Sequence, residues 1–410
     1  MSITYKIQSG DTFDKISRKL YGTEQWSNFL KQVNPGFKEP LTAGTIMAIP
    51  DLPGVPRVIP QKAPAASEDE VAILIDGERF RFWNSARWTR VFDAFGTIEL
   101  SAPFEAGGID FQDIFRPLSY KQIEVTVGGE PQFTGTMIDV NPQLDGDSKT
   151  VQVSGYALPG VLEDCEPPFT ASPLEFVKMD LQKIAGIVCG WFGLTVEFEA
   201  DPGPAFDKVA IKPDEKVHGF LAGLAQQRNL VISDTARGAV IFRQSEEDGS
   251  PETKLIQGQP PLLSVDPQIN PREFFSHITG RRPAKVGKKG SRFSVKNPKL
   301  DGIIRPHTFA VDDAPGADIK TAVFAKSGRM FANAASYGVA VSDWRSHRGN
   351  LWQPGMFIDL SAPDAMIYNG FRFLLREAVF SVSDTERAAA LNLTFPQAFS
   401  GGVPRILPWD

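Results

Sequence analysis

Near the start of the chain, Ile3, Tyr5 and Ile7 alternate with polar residues, the period of a half-buried strand. Gly10-Asp11 supplies a turn, and Asp11 or Thr12 can cap the helix that follows. Phe13, Ile16 and Leu20 share one face of that helix, and Trp26, Phe29, Leu30 and Val33 form a second apolar stripe ended by Asn34-Pro35-Gly36. Gly44 then turns the chain into Ile46-Met47-Ala48-Ile49, a short strand halted by Pro50. The pattern predicts a β-α-α-β domain over residues 1–50, near the lower size limit for an unassisted core.

Pro53, Pro56, Pro60 and Pro64 mark residues 51–69 as a linker, able to span about 60 Å if extended. Strand alternation begins at Val71, Ile73 and Ile75, turns at Asp76-Gly77 and resumes at Phe80 and Phe82. Ile98 and Leu100, then Ile123, Val125 and Val127, then Phe133 to Val140, and finally Val151 and Val153 continue it. Short strands at this spacing predict a β-barrel-like domain over 71–170. The period changes after Ser172-Pro173, where Leu174, Val177, Leu181, Ile184 and Val188 fit one helical face. With Leu194-Phe198, a second helix through Phe220 and Leu224, and a hairpin at Leu230-Ile232 and Ala239-Phe242, residues 172–245 read as a small α+β domain. Residues 246–400 return to strands around an Ala-rich helix near 318–335, predicting a second barrel-like domain. The fold class is therefore multi-domain and mainly β, with α+β insertions. The tail, 401–410, carries Ile406, Leu407 and Trp409, which suit docking onto a partner or onto the domain itself.

Composition narrows the function. The 410 residues include 30 Phe, 36 Gly and 32 Pro, as expected for sizeable cores joined by many turns. A net charge of −6 argues against a chain that binds nucleic acid by overall electrostatics. The exception is a local basic run, Arg281 to Lys299, read as a solvated loop that could otherwise contact phosphate. Two cysteines exclude a disulfide framework, and no apolar stretch approaches a membrane span. Met1-Ser-Ile-Thr does not resemble a secretory signal, so folding in a reducing cytosol is expected.

Catalytic patterns are missing. His218, His277, His307 and His347 are scattered, and no His-Glu-x-x-His, Gly-x-Ser-x-Gly or phosphate-cradling glycine loop occurs. Cys165 sits among acids, which disfavour a thiolate, and Cys189 follows an apolar helical stripe. The expectation is a non-enzyme with no cofactor and no metal.

The segment from Tyr5 through Gly22, closing at Leu41 to Pro50, resembles a LysM domain, a fold known for gripping N-acetylglucosamine polymers. In sugar-binding LysM domains the groove lies between the first turn and the loop after the second helix. That resemblance points to Gly10, Asp11, Thr12, Phe13, Asn34 and Pro35, which are also what the turns and caps require.

Three further stretches occur in a telling order: Gly135-Thr-Met-Ile-Asp-Val with Val151-Gln-Val-Ser-Gly-Tyr and Val161-Leu-Glu-Asp-Cys165; Arg329 to Arg345; and Gly349-Asn-Leu-Trp-Gln-Pro-Gly-Met-Phe-Ile-Asp-Leu360 with Leu374 to Phe399. Together they resemble baseplate hubs of contractile-tailed bacteriophages, of the phage Mu tail protein P and late-control D type. The resemblance implies two tube domains per chain, with no internal sequence identity between them here. It also implies a homotrimeric ring that joins a sixfold tail tube protein to a threefold central spike protein, among other baseplate proteins. DNA would pass through the channel, and the protein would reside in the virion after assembly in the host cytoplasm. The LysM-like module would brace the assembly or, alternatively, bind peptidoglycan.

Overall fold

The computed structural model describes residues 3–7, 11–21, 24–49, 69–104, 109–146, 148–282, 290–311, 319–383, 385–404 and 406–410. They fall into two compact units, Met1–Glu70 and Val71–Asp410. Gly10, most of the proline-rich linker and Lys285, Lys288 and Lys289 of the basic run lie outside the described residues.

In the first unit β1 (Ile3–Lys6) pairs antiparallel with β2 (Ile46–Ile49), and α1 (Phe13–Tyr21) and α2 (Ser27–Val33) lie between them in sequence. Ile7, Phe13, Ile16, Leu30, Leu41, Met47 and Ile49 form its core. Val33, expected on the apolar stripe, is exposed, and Asn34 is buried instead.

The second unit opens with β3 (Val71–Ile75), β4 (Glu78–Phe80), β5 (Ser85–Val91), β6 (Thr97–Pro103), α3 (Ile109–Ile114), β7 (Gln122–Val127), β8 (Glu130–Asp145) and β9 (Ser148–Ala157). A short helix, α4 (Val161–Asp164), leads into β10 (Glu175–Met179), α5 (Leu181–Gly190), β11 (Val196–Phe198), β12 (Phe206–Ala210), α6 (Val217–Gln226), β13 (Val231–Asp234) and β14 (Val240–Arg243). After β15 (Pro251–Ile256) and β16 (Leu262–Ile269) comes a second insertion, β17 (His277–Arg281), β18 (Arg292–Lys296), β19 (Pro306–Ala310) and α7 (Ile319–Ala334). The chain ends with β20 (Ala335–Val341), β21 (Phe357–Ala362), β22 (Ile367–Ser383), β23 (Arg387–Thr394) and α8 (Gln397–Ser400).

The stripe from Leu174 to Val188 is not one helix: Phe176 and Val177 lie in strand β10, paired to β12. Lys178 has φ 54, which breaks any helical path. The Asp180 side chain then accepts from the Lys183 N–H at 2.8 Å, so the helix begins only at Leu181. The basic run is partly strand as well, since Arg292–Lys296 pairs with His277–Arg281. In the tail, Leu407 is buried and Trp409 packs against the main core, so the tail docks on its own domain.

The two β regions expected as separate barrels hydrogen-bond into one sheet of 13 strands, joined where β5 meets β22. Within it five strands recur in the same order and sense. Neighbours in β5-β6-β9-β8-β7 are all antiparallel, and so are neighbours in β16-β20-β23-β22-β21. Even the irregularity repeats: the β8–β9 register shifts between Met137 and Asp139, and the β22–β23 register shifts between Leu375 and Glu377. Aligning these bulges makes Ile98, Leu100 and Ala102 equivalent to Tyr337, Val339 and Val341, all buried. Each repeat runs into a short helix, α4 or α8. Outside the repeat the halves differ, because β3 is antiparallel to β7 whereas β15 is parallel to β21.

Candidate functional site: a polar face along eight strands

Strand alternation sends successive side chains to opposite faces. In the order β8-β9-β6-β5-β22-β23-β20-β16, one face is a continuous core built from Val151, Val153, Ile98, Leu100, Trp88, Phe380, Leu391 and Val339. The opposite face is polar or small apart from Val91 and Val379. Its register sets Asn141 beside Gln152, Gln152 beside Ser101, Ser101 beside Ser85, and Ser85 beside Ser383. Further along, Ser381 meets Ala388, Ala390 meets Ala340, and Ala340 meets Ser264. The charged groups on this face are Arg87, within 3.5 Å of Glu99, and the acids Asp139, Asp145, Asp266 and Glu377. The balance is acidic, and small residues keep the surface low.

At the centre of the strip the halves are joined by a ladder from Glu377–Ser383 to Ser85–Val91. Beneath it Trp88 and Phe380 stack with centroids 5.3 Å apart at 11°, and Trp344 sits edge-on to both rings. Beyond the ladder Arg376, the bulge residue, holds Asp93 in two parallel hydrogen bonds of 3.0 Å.

The β13–β14 hairpin clamps the end of this joint. The Arg243 guanidinium donates to the carbonyls of Phe92 and Val91, at 3.1 and 2.9 Å, and lies over the Phe92 ring. Burial pushes Arg243 down to about 10. Asp234 accepts from the Gly96 N–H at 2.7 Å, and burial pushes its carboxyl up to about 6 against the pull of Gly96, Arg90 and Arg243. Gly96 is required here, because a Cβ would stand 2.5 Å from the Thr89 carbonyl.

In the first unit Thr12 accepts from the Lys15 N–H at 3.2 Å, as a helix cap. Phe13 is buried, and its N–H donates to Glu39 at 2.9 Å. The Asn34 amide donates to Leu30 and Ala48 carbonyls at 3.0 and 2.8 Å and accepts from the Ala48 N–H at 3.0 Å, tying α2 to β2. Asp11 and Thr12 are half-buried and Pro35 is exposed. Of the sequence-derived candidates, then, Phe13 and Asn34 face inward while Asp11, Thr12 and Pro35 reach the surface. Among the described residues no group of three or more His, Cys, Asp or Glu is placed to hold a metal ion. Cys189 is buried, which pushes its thiol up to about 12, and among the described residues no helix is long and apolar enough to cross a membrane.

Sequence reasoning missed β5, Asp93–Arg376 and the Asp234–Arg243 clamp. Only the Ala86, Trp88, Arg90 alternation could have flagged β5, and its charged member hides the period.

Residues 160–244 match a family described as "Baseplate hub protein gp44-like, second domain". No curated protein matches the chain. Its fold is similar to that of the 43 kDa tail protein of prophage MuSo2 from Shewanella oneidensis, at TM-score 0.69 and 22% identity over 80% of this chain and 99% of that one. It is also similar to the tail protein from Neisseria meningitidis MC58, at TM-score 0.68 and 19% identity over 81% and 98% of the two chains. A more distant likeness is to the E. coli c3393 protein, a type VI secretion component described as structurally similar to the T4 tail proteins gp27 and gp5. There the TM-score is 0.51 and the identity 9%, over 82% of this chain and 80% of that one. The chain thus has the fold of phage tail proteins, and its residues 160–244, which clamp the central strand joint, match the second domain of a baseplate hub family.

Proposed function

We propose that the chain is the structural hub of a contractile phage-tail baseplate or a related injection machine, acting as a ring of three copies without catalytic activity. The observation that carries this reading is the repetition of β8-β9-β6-β5 as β22-β23-β20-β16 within one sheet. Three copies of a chain with two equivalent sectors offer six equivalent positions to a tail tube and three to a spike. A closed ring of this kind needs heterologous, head-to-tail contacts.

The polar face suits the wall of a channel that DNA crosses. Binding DNA tightly needs Lys or Arg to neutralise phosphates. The strip instead carries one arginine against several acids, so phosphates are repelled and slide past. Assembly would take place in the host cytoplasm, with the mature protein in the virion. Reconstruction of an assembled particle tests the reading: three copies between tube and spike are expected, and a chain absent from that position refutes it.

For the first unit we infer a LysM-like brace that docks on other baseplate proteins. Supporting this, Phe13 and Asn34 are consumed by the unit's own packing and hydrogen bonds. Exposed Val33 and Ile46 leave apolar surface for a protein contact. The rival is peptidoglycan binding through Asp11, Thr12 and Pro35. Sedimentation of the full chain with purified peptidoglycan separates them: retention abolished by Pro35→Glu would establish the glycan reading.

A further inference from the structure

We propose that copies join edge to edge, the outer edge of β16 in one copy lying antiparallel to Asp139–Asp145 of β8 in the next. This deepens the ring reading above and rests on it. Within the chain, β22 has β21 on one edge of its first part and β5 on the same edge of its second part. Strand β8 is the equivalent of β22 and has β7 along its first part, Glu130 to Thr136. Among the described residues nothing pairs with that edge over Asp139–Asp145. Strand β16 is the equivalent of β5, and among the described residues only β20 pairs with it. The in-chain joint thus has one vacant counterpart on each side of the molecule, and a second copy supplies the matching half of each.

The shared bulges fix the register. Asp139, Val140, Asn141, Pro142, Gln143, Leu144 and Asp145 correspond to Glu377 through Ser383, and Ser264 through Asn270 correspond to Ser85 through Val91. Carrying over the in-chain pairing sets Leu144 of one copy against Val265 of its neighbour, Pro142 against Pro267, and Val140 against Ile269. Leu144 and Ile269 are 74% and 44% exposed in the single chain, and this contact covers both. On the other face Gln143 meets Asp266 and Asn141 meets Gln268, with no two acids directly opposite. The polar strip therefore runs on unbroken from copy to copy, as does the apolar face behind it.

The two prolines set this joint apart from the one inside the chain. The Phe92 N–H donates to the Arg376 carbonyl at 2.7 Å, so Arg90/Ala378, Trp88/Phe380 and Ala86/Val382 are the pairs that exchange hydrogen bonds. On β16 the Asn270 N–H is turned to Ala334, which leaves Val265, Pro267 and Ile269 facing outward. Pro142 and Pro267 occupy the middle of the equivalent ladder, and neither has an N–H to give. The joint between copies keeps its flanking hydrogen bonds and loses the central two. Outward-facing prolines also keep an edge from recruiting strands indiscriminately, so association depends on the full apolar match and on ring closure.

The test uses full-length chains carrying Gln143→Cys or Asp266→Cys, mixed and oxidised. These positions form a non-hydrogen-bonded pair, where side chains lie closest. A disulfide-linked dimer from the mixture, absent from either variant alone and from an Asp139→Cys plus Asp266→Cys mixture, is the expected result. Ile269→Lys should weaken self-association about tenfold while leaving the melting curve in place. A trimer by light scattering that gives no such crosslink overturns this joint and leaves the hub reading standing. A chain that stays monomeric and uncrosslinked at the highest concentration reached overturns the joint as well. The position of the protein in the particle decides the hub reading separately.

Discussion

Replacing Trp88 tests whether the in-chain joint holds the two halves of the sheet together. The residue has 0% exposure, stacks on Phe380 at 5.3 Å and receives the edge of Trp344 at 5.4 Å. Trp→Ala in a core costs about 3–5 kcal/mol. The upper end is expected here, because two ring contacts worth roughly 0.5–1.5 kcal/mol each vanish with it. Trp88→Phe behaves differently. The indole Nε1 is buried and has no hydrogen-bond partner among the described residues, so removing it relieves a desolvation cost of about 1–3 kcal/mol. That gain offsets most of the lost contact area, and the net change should stay within about 1.5 kcal/mol. Urea unfolding of the full chain, followed by near-ultraviolet circular dichroism, measures both. Equal losses for Phe and Ala refute the reasoning about the indole. A loss below about 1 kcal/mol for Ala refutes the joint as a stabilising core.

Asp234 predicts a pH dependence. Its folded value of about 6 lies above its ordinary 3.8, so its contribution is complete below pH 4 and is lost as pH rises through 6. The loss amounts to about 3 kcal/mol at 1.36 kcal/mol per unit. Asp234→Asn should flatten the stability profile between pH 4.5 and 7.5, and a profile parallel to the parent's would sink the assignment. Arg376→Ala strands the half-buried Asp93 carboxylate and should cost about 2–3 kcal/mol in the same urea assay; Arg376→Lys, which loses the two-pronged geometry, should recover only part of it. Asn34→Ala removes three hydrogen bonds from a small core and should expose residues 3–49 to protease first, with the main unit intact. A thiol reagent should modify half-buried Cys165 in the native protein, but Cys189 only after unfolding.

Period-2 alternation located β3, β6, β7 and β9, because each buries one face and leaves the other wet, as at Ile98 and Leu100 between Thr97, Glu99 and Ser101. It failed at β5, where Arg90 takes a core-side position, and at β10, where Phe176 and Val177 mimic a helical stripe until Lys178 and Asp180 break it. The β-α-α-β order of the first unit was legible from its turns. The inward turn of Asn34 was not, since a capping asparagine and a ligand-binding one look alike in sequence. The clamp from Asp234 and Arg243 to the β5–β6 turn joins residues more than 130 positions apart, beyond the reach of any local pattern.

The repeat itself was invisible in the sequence because hydrogen-bonding register is conserved between the halves while side chains are not. Equivalent positions carry Ile98 and Tyr337, or Leu100 and Val339, which share burial but differ in size and shape. Divergence at the joints follows their opposite requirements. Trp88 and Phe380 sit in the ladder built within the chain, and Pro267 and Pro142 sit at the equivalent places on the edges that the proposed joint between copies would close. A chain with aromatic residues at all four positions would bring a complete ladder and a large apolar surface to its open edges, and would pair before the ring could close. Pro142→Phe combined with Pro267→Trp therefore should convert discrete oligomers into open-ended aggregates, visible as a mass distribution without an upper limit in light scattering. Discrete particles of unchanged mass from that double variant would mean the prolines do not guard these edges.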